Sequence, residues 1–318
     1  MPAGVGHVVL ALTIAGRSGS YHTRAESWTS TDANWLPRRA KLRAAVSNVS
    51  IVFPCFNEAK RLRVEPLLWL VRAQRYELVL VDDGSSDATP ALLEQIRAAE
   101  PTRVHVMRFE RNRGKAEAVR QGVLLALTRG AAIVGYADSD LSTPVDELAR
   151  LIEHFANHDA AVIMGSRVAL LGLDIQRSAV RHYVGRVFAT AASLTLRLRV
   201  YDTQCGAKFF RATPALSRAL ARPFRSRWAF DVELLGRLLV GGAAAGALEE
   251  RDFLEVPLQQ WTHMAGSKLR LVAMLRAGAD LAAIALDLAQ ERRAARTAAS
   301  ERTGAAHVQS PERPKQDH

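Results

Sequence analysis

Two carboxylates, Asp138 and Asp140, stand one residue apart after the apolar run Ala131–Ala137, in the stretch GYADSDLSTP. In an extended segment residues i and i+2 point the same way, so the pair could address one cation. Left alone, the two would repel and raise each other's pKa. A hard divalent ion such as Mg²⁺ accepts one or two carboxylates and completes its shell with water and substrate phosphates. The competing reading is an Asx-type turn ahead of a helix opening at Pro144, since Asp and Ser are common before helices. Other short apolar runs also end in polar groups: Pro54-Cys55-Phe56-Asn57-Glu58, Asp82-Asp83-Gly84-Ser85-Ser86-Asp87 and Arg111-Asn112-Arg113-Gly114-Lys115. Turn and cap chemistry explains each of these alone. Their recurrence, one after another along the chain, is harder to explain that way.

The elements that must carry these groups alternate. Val49–Phe53, Leu78–Val81, Val104–Phe109, Ala131–Ala137 and Ala160–Met164 are short apolar runs that read as buried strands. Helical stretches separate them, at Glu65–Gln74, after Asp87-Ala88-Thr89-Pro90, at Lys115–Thr128 and at Pro144–Ala156. Asp87 is placed to cap the second helix, and Pro90 sits near its first turn. Strands alternating with helices predict an α/β fold with a mainly parallel sheet covered on both faces. In such sheets ligands bind at the carboxyl ends of the strands. The polar groups described above fall at those ends.

At 318 residues the chain suits one large or two small domains. Cys55 and Cys205 stand far apart and outside any CxxC spacing, which argues against a disulfide framework or zinc site and fits a reducing compartment. No run approaches the roughly 18 apolar residues of a membrane span. Val8–Ala15 is apolar but lacks the basic start of a signal peptide. Residues 1–47 read as a basic flexible extension, 48–268 as the catalytic domain, 269–290 as an amphipathic helical region and 291–318 as a disordered tail.

The net charge of +11 is unevenly spread. Residues 165–227 hold twelve basic and two acidic groups, whereas residues 48–164 and 228–290 are slightly acidic. A strongly basic segment of this kind calls for an anionic partner. Nucleic acid is a poor candidate, because the strand-end acids would repel phosphates and no aromatic-basic interleaving appears. A dinucleotide-dependent oxidoreductase shares the sheet, yet PCFNE stands where GxGxxG would follow the first strand.

FPCFNE, VDDGSSD, RNRGKAEAVRQG, ADSD and MGSR resemble the pattern of the family 2 glycosyltransferases. Their fold is a nucleotide-diphospho-sugar transferase sandwich of the GT-A type. DTQCGAKFF (Asp202–Phe210), RWAFDVELL (Arg227–Leu235) and the Trp261–Lys268 motif resemble the narrower branch of dolichyl-phosphate β-glucosyltransferases. The resemblance covers about residues 49–288. It implies a metal-dependent, inverting transfer of a hexose, glucose from UDP-glucose above all, onto polyprenyl or dolichyl phosphate. Mannosyl transfer from GDP-mannose is the alternative within the family, and a noncatalytic scaffold in glycan assembly the alternative outside it.

On this resemblance Asp138 and Asp140 hold Mg²⁺ or Mn²⁺, which would neutralise charge on the departing nucleoside diphosphate. Pro54, Phe56, Glu58 and Asp83 line the nucleoside site, and Gly114 and Lys115 open a helix toward the phosphates. Gln204 and one of Asp231 and Glu233, with Asp231 favoured, face the donor sugar; i and i+2 diverge on a helix. The acceptor phosphate is already ionised near neutral pH, so no enzyme base is required. Arg167, a guanidinium fork suited to phosphate, is the first choice for holding it. The family pattern adds Arg177, Arg181 and Lys268, while Arg186, Arg197, Arg199 and Arg211 read as surface charges. Val187–Leu196 could lie in a membrane interface, and Leu269–Leu288 on a membrane, on the domain or on a second subunit. The resemblance thus implies a peripheral protein at the cytoplasmic face of a membrane, with room for a homodimer or a membrane-protein partner.

Overall fold

The computed structural model describes residues 48–168, 174–175, 179–241, 246–262 and 271–308. The expected N-terminal extension, Arg177, Lys268 and residues 309–318 lie outside them. The first half alternates as expected: β1 (Val49–Cys55), α1 (Val64–Arg72), β2 (Glu77–Asp82), α2 (Thr89–Ala99), β3 (Val104–Arg108), α3 (Lys115–Thr128), β4 (Ile133–Tyr136), α4 (Val145–Asn157) and β5 (Val162–Ser166). The second half is less regular. It contains β6 (Asp174–Ile175), α5 (Ala179–Leu196), β7 (Lys208–Arg211), α6 (Pro214–Ala219), α7 (Phe230–Val240), β8 (Phe253–Pro257), β9 (Gln260–Trp261) and α8 (Leu271–Val308).

Seven strands form one sheet in the order β3-β2-β1-β4-β7-β5-β8, and β6 pairs with β9. β1 runs parallel to β2 and β4, and β2 to β3, so their carboxyl ends share an edge. β7 is antiparallel to both β4 and β5, which makes the sheet mixed. Its register sets Tyr136 opposite Lys208 and Gly135 opposite Phe209. The strands are buried on both faces, which is why they read as continuous apolar runs. One face packs under α3, α5, α7 and α8, with Val52, Val81, Val119 and Phe230 in the core. The other packs under α1, α2 and α4, with Phe53, Leu67, Leu93 and Leu148.

Three local expectations change. Asp87 does accept the Thr89 N–H at 2.9 Å, but its other oxygen takes the Ala59 N–H at 3.1 Å, so it also ties the first strand-end loop to α2. The residues expected as a disordered tail from 291 instead continue α8 to Val308. Ala294, Ala295, Ala298 and Ala299, interleaved with Arg and Glu, are strong helix formers and need no packed face to explain it. Finally, Leu281, Ile284 and Leu288 are buried in the core beside α7, so this part of α8 lies on the domain.

Candidate active site

The edge formed by the ends of β1 to β4 is tied together through its own polar groups. Asp83, just past β2, accepts the backbone N–H groups of Arg113 and Gly114 at 2.6 and 2.8 Å. It therefore fixes the loop that delivers α3. Burial raises the Asp83 carboxyl above its ordinary value, and these amides pull it partly back. Gly114 caps α3 with φ 94°, a left-handed conformation that side chains disfavour. Ser85 donates its backbone N–H to Asp82 Oδ1 at 2.9 Å while its hydroxyl oxygen accepts the Asn57 N–H at 3.0 Å, and Thr89 Oγ1 accepts that of Glu58 at 2.8 Å. Phe56 is exposed beside them and Pro54 half-buried.

Glu58 is buried, pairs with Arg61 at 2.5 Å and leaves Oε2 without a hydrogen-bond partner among the described residues. Burial lifts its pKa, Arg61 pulls it down, and Asp140 and Asp138 push it up again. Three carboxylates thus feel one another across this edge.

Asp138 and Asp140 are not on an extended segment, contrary to the geometry expected of them. β4 stops at Tyr136, and the Leu141 N–H donates to the Asp138 carbonyl at 3.1 Å, closing a turn. Asp140 Oδ1 accepts from Ser142 N and Oγ at 3.0 and 2.8 Å. The Asx-type turn is therefore present, and it consumes one oxygen of the pair. Asp138 meets Lys115 Nζ at 2.5 Å through Oδ1, while its Oδ2 packs against Gly206: a Cβ there would lie 2.0 Å away. Only glycine fits. Among the described residues no group of three or more His, Cys, Asp or Glu forms a ready-made metal cage. The hard oxygens present, with a partnerless Glu58 Oε2 nearby, fit an ion that takes most of its ligands from phosphates and water.

Beneath Asp138 lies a buried charge network that sequence reading missed. Lys208 is fully buried and donates to Cys205 O and to Asp231 Oδ1, both at 2.6 Å. The Tyr136 hydroxyl donates to the same Asp231 oxygen. Asp231 therefore points beneath the site, while Glu233 turns to Arg237 and to the Arg225 N–H, so the two carboxylates do diverge. The signal was the lysine inside the apolar run AKFF, opposite Tyr136. Burial pushes the Cys205 thiol up to about 11, which excludes a thiolate nucleophile at neutral pH. Gln204 is half-buried, and its Nε2 has no hydrogen-bond partner among the described residues.

Arg167, just past β5, forms a two-pronged ion pair with Asp202 and lies over the Trp261 ring, 5.4 Å from its centroid. Burial works against its charge, but Asp202 more than compensates and holds its pKa above the ordinary value. Arg181 falls in α5, and its side chain is outside the described part. Part of the basic segment is neutralised by acids outside it: Arg199 pairs with Glu250, Arg222 with Glu291 and Arg225 with Asp287. Arg211 is not the surface charge expected, since it donates to the carbonyls of Phe155, His158 and Ala160. The acids that balance these arginines come from elsewhere in sequence. Arg227, also unassigned from sequence, lies along Gly114, within 3.2 to 3.4 Å of where a Cβ would stand, and bears on Asp83.

A mixed α/β sheet with acids and a helix-opening lysine at one strand edge is the architecture of a nucleotide-sugar transferase. Residues 50–215 match glycosyl transferase family 2, and the chain belongs to that family: it is a glycosyltransferase. It is 33% identical over 259 residues to the dolichyl-phosphate beta-glucosyltransferase of Mus musculus, covering 75% of each chain. The human enzyme of the same name is 32% identical over an equal span. Glucosyl-3-phosphoglycerate synthase from Mycobacterium tuberculosis, crystallised with Mn²⁺, UDP and glucosyl-3-phosphoglycerate, shares the fold. It superposes with a TM-score of 0.55 at 20% identity, over 78% of this chain and 83% of that one.

Proposed function

We propose that this glycosyltransferase moves glucose from UDP-glucose to the phosphate of a polyprenyl lipid, with a divalent ion, at a membrane surface. The observation that carries the reading is Asp138 just past β4, one oxygen facing Lys115 and the carboxylate packed close to Gly206, in a chain whose relatives include several named dolichyl-phosphate beta-glucosyltransferase. Phe56, Pro54 and Glu58 flank the nucleoside, and Asp83 presents Gly114 and Lys115 to the diphosphate. Asp138 and the second oxygen of Asp140 are the residues to hold Mg²⁺ or Mn²⁺, and the ion, when bound, supplies positive charge to the leaving diphosphate. The partnerless Gln204 amide suits a sugar hydroxyl. Arg167, aimed by Asp202, suits the acceptor phosphate, joined by Arg177, Arg181 and Lys268.

The acceptor phosphate is its own nucleophile: one lone pair forms the new bond to the anomeric carbon as the bond to the diphosphate breaks. No residue need remove a proton. This agrees with the lack of an exposed, unpaired carboxylate at Asp231, which is already bound to Lys208 and Tyr136. No helix among the described residues is long and apolar enough to cross a membrane. A surface location is supported by α5, where Val187 and Leu194 are 73% and 75% exposed and the exposed Arg186 and Arg197 flank them. The test is transfer of labelled glucose to a lipid extract with chelator present and absent. The expected result is a lipid-linked product that chelation abolishes; full activity in chelator would remove the ion from the reading.

A further inference from the structure

We propose that Trp261 is a positioning residue for the acceptor side of the site: its ring supports the Arg167 guanidinium and keeps the free donors of that arginine turned to the acceptor phosphate. The inference rests on Arg167 holding that phosphate, as read above. Three observations carry it. First, the Asp202 bonds leave Arg167 both usable and movable. Nε and Nη2 are spent on the carboxylate, at 2.7 and 2.8 Å, while Nη1 takes no hydrogen bond among the described residues. A guanidinium has N–H donors on all three nitrogens, so those of Nη1 remain for a second anion. The side chain is 21% exposed, which leaves it reachable. Bonds along a single edge still allow the group to swing about that edge. The Trp261 ring, its centroid 5.4 Å from Arg167 Cζ, lies within the roughly 6 Å range of a cation–π contact and opposes the swing.

Second, the indole is itself anchored. Trp261 ends the two-residue β9, where Ile175 of β6 stands opposite it. A pair this short does not hold itself in place. On one side the Gln259 N–H donates to Glu147 Oε2 at 2.9 Å, and Arg150 grips Glu147 from the same helix, α4. On the other the Thr262 N–H donates to the Ser142 carbonyl at 3.1 Å. Trp261 also packs, half-buried, against the core that α4 covers. A ring fixed from both flanks can set the arginine, where a loose one would follow it.

Third, the anchor reaches the donor side. Ser142 is the residue whose N–H and hydroxyl hold Asp140 Oδ1. One short segment therefore touches both the acceptor arginine and the turn that carries Asp140, and the alignment of two reactants governs the rate of their reaction.

The test uses the full chain with Mn²⁺, labelled UDP-glucose and polyprenyl phosphate in detergent, for wild type, Trp261→Met, Trp261→Phe, Arg167→Ala and Trp261→Met combined with Arg167→Ala. Trp261→Met keeps an apolar side chain but loses the ring face. Its kcat/KM for polyprenyl phosphate is expected to fall about tenfold, while UDP affinity by calorimetry stays at the wild-type value. Trp261→Phe should recover most of that loss. In the Arg167→Ala background Trp261→Met should cost little more, because the residue acts through the arginine. Full additivity, or equal losses in Trp261→Met and Trp261→Phe, would mean that Trp261 serves packing alone and overturns the proposal. If Arg167→Ala is impaired and Trp261→Met is not, the proposal falls by itself; if Arg167→Ala transfers as wild type does, the acceptor reading of Arg167 falls with it. Should Trp261→Met fail to fold, tryptophan emission decides. Polyprenyl phosphate, measured against dephosphorylated polyprenol in the same detergent, should change the emission of wild type but not of Trp261→Phe, and an identical change in both overturns the proposal.

Discussion

The Arg167 guanidinium grips the Asp202 carboxylate through two hydrogen bonds, Nε to Oδ2 at 2.7 Å and Nη2 to Oδ1 at 2.8 Å. The Arg167 backbone N–H adds a third at 3.1 Å, and Glu255 in turn accepts the N–H groups of Tyr201 and Asp202. An arginine held this way on one edge keeps its remaining donors for another anion. Arg167→Ala should therefore impair transfer to polyprenyl phosphate by about 100-fold while donor affinity stays near wild type, as expected for lost positioning of one reactant. Asp202→Asn should act in the same direction but less strongly, and Arg167→Lys should restore only part, because a point charge replaces a fork. Donor calorimetry with acceptor-dependence kinetics checks this; lost UDP affinity in Arg167→Ala would move the residue to the donor side.

A second expectation concerns stability. Lys208→Met removes the buried countercharge of Asp231, leaving an uncompensated carboxylate at a cost of about 3 to 5 kcal/mol. Lys208→Met combined with Asp231→Asn should recover part of that, since no buried charge remains. Chemical denaturation of the two single variants and the double variant measures the coupling. Simple additivity would mean that the pair does not behave as a unit.

A third concerns pH. The folded Glu58 pKa is raised above its ordinary 4.5, first by burial and then by Asp140 and Asp138 against the pull of Arg61. The folded chain therefore holds this proton to higher pH than the unfolded chain does. The contribution of Glu58 to stability is fully present below 4.5 and is lost as pH rises through the folded pKa. Glu58→Gln should flatten that part of the stability curve and leave the protein relatively more stable at neutral pH. Denaturation midpoints between acidic and neutral pH test it, and an unchanged slope would remove Glu58 as its source.

How much of this could be read from the sequence depended on the range of each interaction. β1 to β5 and the four helices between them were legible because buried parallel strands are continuous apolar runs with turn chemistry at their ends. α3 begins at Lys115 and ends at Thr128, as expected. β7 was not legible: four residues, one of them a lysine, give no periodicity, and their strand identity comes from the flanking β4 and β5. The partial neutralisation of the basic segment was hidden for the same reason, since Arg225 finds Asp287 and Arg199 finds Glu250 only in space. At the site, the types of Asp138, Asp140 and Lys115 could be read. Their distances, the turn at Leu141 and the close approach of Gly206 could not.

The central claim is the identity of the transfer, and a matrix of donors and acceptors tests it most directly. Purified protein with Mn²⁺ would be offered labelled UDP-glucose or GDP-mannose, each with polyprenyl phosphate, dephosphorylated polyprenol or a water-soluble phosphate ester, and the extracted lipid counted. The expected result is a single productive combination, UDP-glucose with polyprenyl phosphate, yielding lipid-linked glucose. Product only from GDP-mannose, or glucose transfer confined to the water-soluble ester, would contradict it.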